Sequence, residues 1–122
     1  MRTGKVIVGG KEYLTCFSTR VLMRVEEEKG EAAHEWLQKM VENQSVGDMF
    51  WLLTQLIDAG DRYAKLEGLD NPGTIAFENL IDIVGVDDYA TMFAAVVETV
   101  KNGQTPNVRT KPGKNVKTTQ GA

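Results

Sequence analysis

One long periodic segment, residues 45–68, most constrains what this chain can fold into. It reads SVGDMFWLLTQLIDAGDRYAKLEG, and its apolar side chains recur at the spacing of one helix face. Those positions are Val46, Met49, Phe50, Leu53, Leu56, Ile57, Ala64 and Leu66. Trp51 and Leu52 fall outside this stripe, so the apolar face is wide in the first half of the helix. A helix with so wide an apolar face must be covered by other elements or by a partner.

The N-terminal residues 3–17 predict a β-hairpin. Val6 to Val8 are β-branched, and Gly9-Gly10 supplies the positive φ angles that a two-residue turn requires. With this turn, Val6, Val8 and Tyr13 share one face of the hairpin. An isolated hairpin is only marginally stable in water. We therefore expect it to pack on the helices, or to use a free strand edge to extend a sheet of another subunit.

Periodicity and turn residues predict four further helices around the central segment, over residues 19–29, 31–44, 75–84 and 88–102. Ser18, Thr74 and Asp87 are the expected N-cap residues of the first, third and fourth of these. Gly103 is a natural C-terminal stop for the last.

Three residues of the central segment have specific expected roles. Ser45 and Asp48 have the spacing of a capping box at its start. Gly60 interrupts the helix at a cost of roughly 1 kcal/mol relative to Ala, so we expect a close helix crossing or a slight bend there.

The predicted fold is therefore mainly α, with an N-terminal β-hairpin packed on a bundle of about five helices. Residues 1–103 form the single domain, and residues 104–122 form a disordered basic tail, because they contain almost no apolar side chains to bury.

Charge and composition exclude several classes of function. The tail holds four basic residues and no acid, while the whole chain has a formal net charge of −3, so residues 1–103 bear −7. An acidic body argues against nucleic acid as the main partner. The chain has no run of about 18 apolar residues, so we expect no membrane span. Its single cysteine excludes an intramolecular disulfide and suggests a reducing, cytoplasmic compartment.

The sequence shows no catalytic or metal-binding pattern. His34 is the only histidine, and no second ligand or acid pair accompanies it. Cys16 alternates within a predicted strand, which favours a packed structural thiol over a nucleophile. The adjacent carboxylates of residues 26–28 point in three directions around a helix and cannot converge on one ion. We therefore expect a protein that is not an enzyme and that has no cofactor or metal.

Two apolar groups are candidates for partner binding. Met49, Phe50 and Trp51 lie near the junction of the second and third helices, and Met-aromatic surfaces suit adaptable recognition. Val6, Val8 and Tyr13 form the second group, on one face of the hairpin. Each group could instead belong to the core, and the sequence leaves both interpretations open.

The order of features resembles that of a known family. Residues 10–17 read GKEYLTCF and precede a helix of the Leu- and Glu-rich kind that ends in Gly, here STRVLMRVEEEKG. An apolar helix, FWLLTQLIDAG, and an amphipathic helix, DDYATMFAAVVETV, follow, and a Lys-rich tail closes the chain. Over about residues 5–103 the chain is similar to the tail assembly chaperones of long-tailed bacteriophages and prophages, especially those of Gram-positive hosts.

The resemblance implies a non-enzymatic assembly factor. Members of this family bind the long, aggregation-prone tape measure protein, keep it soluble and help to bring in tail tube subunits. They act in the bacterial cytoplasm and are absent from the finished virion. The resemblance therefore implies the tape measure and tail tube proteins as partners, with self-association as a further possibility, and transfers no site residues.

A small helical regulator that associates with nucleic acid is the alternative. The turn at residues 85–87 would permit a helix-turn-helix arrangement. The helix in the recognition position, however, bears Asp87, Asp88 and Glu98 and only one base, Lys101. Phosphates would repel such a helix, which disfavours this alternative.

Overall fold

A computed structural model describes residues 2–106, 108 and 110, and it confirms the mainly α fold with an N-terminal hairpin. The elements in chain order are β1 (Thr3–Val8), β2 (Lys11–Cys16), α1 (Thr19–Lys29), α2 (Ala33–Asn43), α3 (Val46–Glu67), α4 (Phe77–Ile83), a 3-10 turn (Val86–Asp88) and α5 (Tyr89–Asn102). Most of the expected disordered tail, residues 107, 109 and 111–122, lies outside the described residues.

The hairpin has the predicted turn and register. Gly9 and Gly10 have φ angles of 57° and 80°, and Val8 pairs with Lys11 across the antiparallel ladder. The hairpin packs on α3 and α5 of its own chain, where a buried hydroxyl pair, Thr15 Oγ1 to Thr99 Oγ1 at 2.7 Å, joins β2 to α5. Thr99 donates its own proton to the Ala95 carbonyl at 2.9 Å, so Thr15 is the donor within the pair.

The hairpin packs on the helices, which is one of the two alternatives expected from the sequence, and each of its edges is engaged at one backbone position by a side chain of its own chain. On β1, the carbonyl of Thr3 accepts a hydrogen bond from Asn102 Nδ2 at 2.8 Å. On β2, the N–H of Leu14 donates to Asn71 Oδ1 at 2.9 Å. These side chains occupy backbone groups that an added strand would need.

Helix α3 lies at the centre of the core, as its wide apolar face predicts. Five of its side chains have no exposed surface, namely Met49, Leu52, Leu53, Leu56 and Ile57. Gly60 allows another element to lie very close to α3, as expected, but this element is strand β2 rather than a helix. A Cβ atom at position 60 would overlap the carbonyl group of Leu14.

Several helix ends differ from the sequence prediction. Helix α2 begins at Ala33, and Glu31, which precedes it, forms an ion pair of 2.8 Å with Lys39. Helix α4 begins at Phe77 rather than directly after Thr74. Apolar periodicity does not identify the residue at which a helix begins. The predicted starts of α2 and α4 are therefore two residues too early.

The predicted caps also differ. Ser18 and Ser45 precede their helices but form no side-chain cap hydrogen bond. Asp48 lies 3.5 Å from the Lys29 ammonium group, so a tertiary ion pair replaces the expected capping box. The N-cap of α5 is Asp88 rather than Asp87, and it forms no side-chain cap hydrogen bond with α5. Its carboxylate instead accepts from the Gly85 N–H at 3.1 Å and so caps the 3-10 turn.

A polar cluster around Asn71 joins the loop after α3 to the hairpin and to α3. Besides bonding Leu14, Asn71 donates from Nδ2 to Asp61 Oδ1 at 3.1 Å, and the other oxygen of Asp61 lies 3.1 Å from Lys65. Asp61 is buried, and the hydrogen bond from Asn71, followed by the contact with Lys65, holds its pKa below the ordinary value. A carboxyl group with a lowered folded-state pKa stabilises the fold above its unfolded pKa, and this contribution is lost as the pH falls.

We expect the Asn71→Ala variant to lose about 1–3 kcal/mol of unfolding free energy at pH 7, since it removes the hydrogen bond to Oδ1 of the buried Asp61 carboxylate and leaves the Leu14 N–H without its acceptor. The pKa of Asp61 should rise toward its ordinary value. Urea unfolding of both proteins at pH 7 and at roughly pH 3, below the ordinary Asp pKa of about 3.9, measures the effect. The difference between the two proteins should shrink at the lower pH, and an unchanged difference would contradict this role of Asp61.

Candidate partner-binding site

The structure places five of the six predicted partner-binding residues in the core. The side chains of Val6, Val8, Tyr13, Met49 and Phe50 are between 0% and 8% exposed. The three hairpin residues face α3 and α5, and Phe50 packs edge-to-face on Tyr89 with ring centroids 5.7 Å apart. Of the two interpretations that the sequence leaves open, these five residues belong to the core of the monomer. Whether a partner contacts any of them stays a prediction.

Trp51, the sixth residue, is half-buried and makes contacts within its own chain. Its ring packs edge-to-face on Trp36, with centroids 5.6 Å apart and an interplanar angle of 82°. The Lys29 ammonium group lies 4.4 Å from the Trp51 ring centroid and 3.5 Å from Asp48. A cation over the ring is a favourable contact in itself. Contacts within its own chain therefore cover part of the Trp51 ring.

An apolar groove with a volume of about 260 Å³ lies between α2 and α5. We call it the α2–α5 groove, and the residues that line it are His34, Leu37, Gln38, Met40, Val41, Val96, Val97, Val100, Lys101 and Gln104. Met40 and Val96 form its buried floor. Val41 and Val97 are 38% and 36% exposed, so they form an accessible apolar rim.

The groove arises because both helices have wider apolar faces than the core can cover. In α2, Met40 points into the core while the next residue, Val41, remains at the surface. In α5 the same relation holds between Val96 and Val97. Adjacent apolar residues at these positions are the sequence signal for the groove. Both members of each pair fit the apolar stripe of a helix, so the sequence alone did not predict this surface.

The chemistry of the groove suits binding rather than reaction. Of the described residues that line it, none is a carboxylate or a thiol, and Lys101 is the only fixed charge. An apolar floor with a few polar groups at the edge is the usual composition of a surface that accepts apolar side chains.

Exposed apolar side chains also lie on α4 and the 3-10 turn, and we call this region the α4 patch. Ile81, Ile83 and Val86 are exposed there. Ile81 and Ile83 are two positions apart on a seven-residue helix, so their side chains point in different directions.

The remaining candidate residues lie apart from this groove or at its edge. Cys16 is buried, and burial raises the pKa of its thiol, opposed in part by the charge of Arg2. His34 is exposed at the edge of the groove. Within the described part of the chain, no three His, Cys, Asp or Glu side chains are grouped so that they could hold a metal ion.

Among the same described residues, none of the helices has the length and apolar character needed to cross a bilayer. Comparisons with protein-family models, with curated proteins and with solved structures find no match for this chain.

Proposed function

We propose that this protein is a non-enzymatic tail assembly chaperone of a long-tailed bacteriophage or prophage, which acts in the cytoplasm of the bacterial host. Its client is the tape measure protein, which it keeps soluble before the tail tube polymerises, and it helps to recruit tail tube subunits. The finished virion does not contain it. The resemblance of the sequence motivates this proposal, and the α2–α5 groove is the observation that supports it most directly.

The groove has a length that suits a short helical client. Its lining residues extend over positions 34–41 on one side and 96–104 on the other, and a rise of about 1.5 Å per residue makes each side roughly 11–12 Å long. About two turns of an amphipathic client helix could lie along it, with apolar residues at i, i+3 or i+4, and i+7. Because Lys101 lies at the edge and no described carboxylate lines the groove, acidic residues beside the client's apolar stripe are favoured.

The charge of the body suits a chaperone. Residues 1–103 bear a formal charge of −7, which favours solubility and limits nonspecific self-association. A complex with an apolar client helix in the groove would therefore keep a charged outer surface. The client's exposed apolar stripe, which would otherwise drive aggregation, would be covered.

Co-expression tests the proposal. The tape measure protein encoded beside this one would be produced in bacteria with and without this chain, and its soluble fraction measured by centrifugation and quantitative blotting. We expect the soluble fraction to rise several-fold in the presence of this chain and the two proteins to co-purify. An equal soluble fraction in both cultures, with no co-purification, would contradict the proposed function.

A further inference from the structure

A cleft of about 610 Å³ lies between the N-terminal ends of β1 and α1 and the C-terminal half of α3. Its lining includes four cationic side chains, Arg2, Arg20, Arg62 and Lys65. Such a concentration of positive charge is unexpected on a body whose formal charge is −7. The cleft shares no residue with the α2–α5 groove, so its role is independent of the proposed function.

Two of the four cations are already neutralised by neighbours. Arg62 lies 3.1 Å from Asp58, and Lys65 lies 3.1 Å from Asp61. Arg2 and Arg20 form no ion pair with any described residue. The cleft therefore has an excess of about two positive charges close to its walls, even after both carboxylates are counted.

Arg2 shows the most direct sign of a missing partner. Its guanidinium group lies 5.9 Å from the centroid of the Tyr63 ring, which orients it in the cleft. Its Nε atom is buried and has no hydrogen-bond partner among the described residues. Buried donors in folded proteins are nearly always satisfied by protein, water or a ligand, so this guanidinium donor is available to a ligand that accepts hydrogen bonds.

The start of α1 adds donors to the same cleft. Ser18 and Thr19 line it, and Ser18 forms no side-chain cap with the first turn of α1. The first N–H groups of a helix have no partner within the helix, and the helix dipole favours an anion at that end. The thiol of Cys16, also in the cleft, stays protonated at neutral pH because burial raises its pKa, so it adds no negative charge.

From these observations we infer that the cleft binds a small organic phosphate. Guanidinium groups match the geometry of phosphate oxygens, so Arg2 and Arg20 would hold the phosphate beside the start of α1. Ala59, Leu66 and the Tyr63 ring form an apolar wall that the organic part of the ligand would contact. The volume falls within the range typical of small-molecule sites, about 300–1,000 Å³.

Isothermal titration calorimetry of the full chain at constant ionic strength tests this inference, with inorganic phosphate, pyrophosphate and adenosine monophosphate as probes. We expect saturable binding of adenosine monophosphate, tighter than that of inorganic phosphate because of the apolar wall. The Arg2→Gln/Arg20→Gln variant should bind at least tenfold more weakly. The single Arg20→Gln variant, which removes only an exposed and unpaired side chain, provides the same test if the double variant fails to fold.

Lys39→Gln is the charge-matched control. Lys39 is an exposed residue of α2 outside the cleft, and its replacement removes one positive charge, as the Arg20 replacement does. The affinity of the Lys39→Gln variant for the probes should equal that of the wild-type protein. Absence of saturable binding for all three probes would overturn the inference. An equal loss of affinity in Lys39→Gln and Arg20→Gln would also overturn it, because binding would then follow net charge alone.

Discussion

The Gly60→Ala variant is expected to be much less stable than the wild-type protein. A Cβ atom at position 60 would overlap the carbonyl group of Leu14 and lie 2.8 Å from Thr15 Cα. These are backbone atoms of β2 and cannot rotate away, so the hairpin would have to shift from α3 as a unit. Overpacking of a core typically costs 1–3 kcal/mol and occasionally more, and we expect about 3 kcal/mol or more here. Urea denaturation followed by circular dichroism measures the loss.

Gly47→Ala is the matched control for this prediction. Gly47 lies in the first turn of the same helix, and a Cβ atom there would meet no atom within 4 Å. Alanine has the higher helix propensity, so the free energy of unfolding should stay constant or rise by up to about 1 kcal/mol. Equal stabilities for Gly60→Ala and Gly47→Ala would show that β2 does not need the close approach to α3.

The Val97→Glu variant is expected to lose most of its binding to the tape measure protein. Val97 is at the rim of the α2–α5 groove, where a carboxylate would be taken out of water against Val41 and the client's apolar side chains. Disruption of an interface position of this kind costs about 2 kcal/mol or more of binding free energy, so the affinity for the client should fall at least about thirtyfold. The variant should fold normally because the side chain is partly exposed. Co-purification and surface plasmon resonance measure the loss.

Ile83→Glu is the control for the groove. Ile83 is an exposed aliphatic residue, 53% accessible, on the apolar patch of α4, and the substitution introduces the same charge. Client binding should match that of the wild-type protein. The reverse result, with binding lost in Ile83→Glu and kept in Val97→Glu, would assign the client to the α4 patch and contradict the role of the groove.

The hairpin and the central helix could be predicted from the sequence for physical reasons. Gly9-Gly10 allows one short turn, and that turn specifies the register of the whole ladder. The apolar period of residues 45–68 persists for six turns, so the position of α3 is insensitive to any single residue. The residue at which a helix starts depends on a few local hydrogen bonds, which explains the errors at α2 and α4.

The partner-binding residues could not be predicted in the same way. Phe50 and the apolar face of the hairpin are buried by contacts with α5, which lies far along the chain. A wide apolar face indicates that something must cover it, but the sequence does not state whether that is another helix or a partner. The position of Trp51 outside the main stripe did indicate partial exposure, and the structure shows that Trp36 and Lys29 cover part of it.

The α2–α5 groove also could not be predicted from the sequence alone. Val41 and Val97 each widen an apolar stripe, and this is visible in the sequence. That the two residues line one indentation follows only from the packing of α2 and α5 around the core. The cationic cleft could not be predicted either, because three separate segments of the chain contribute its side chains, namely Arg2, Arg20, Arg62 and Lys65.

Backbone amide chemical-shift mapping tests the central claim most directly. An isotope-labelled sample of this protein would be titrated with a synthetic amphipathic helix from the tape measure protein. The account predicts that the largest shifts fall on α2 and α5, at Leu37, Val41, Val97 and Val100, and that they disappear in Val97→Glu. Shifts confined to the hairpin or to α4, or no shifts at all, would contradict it.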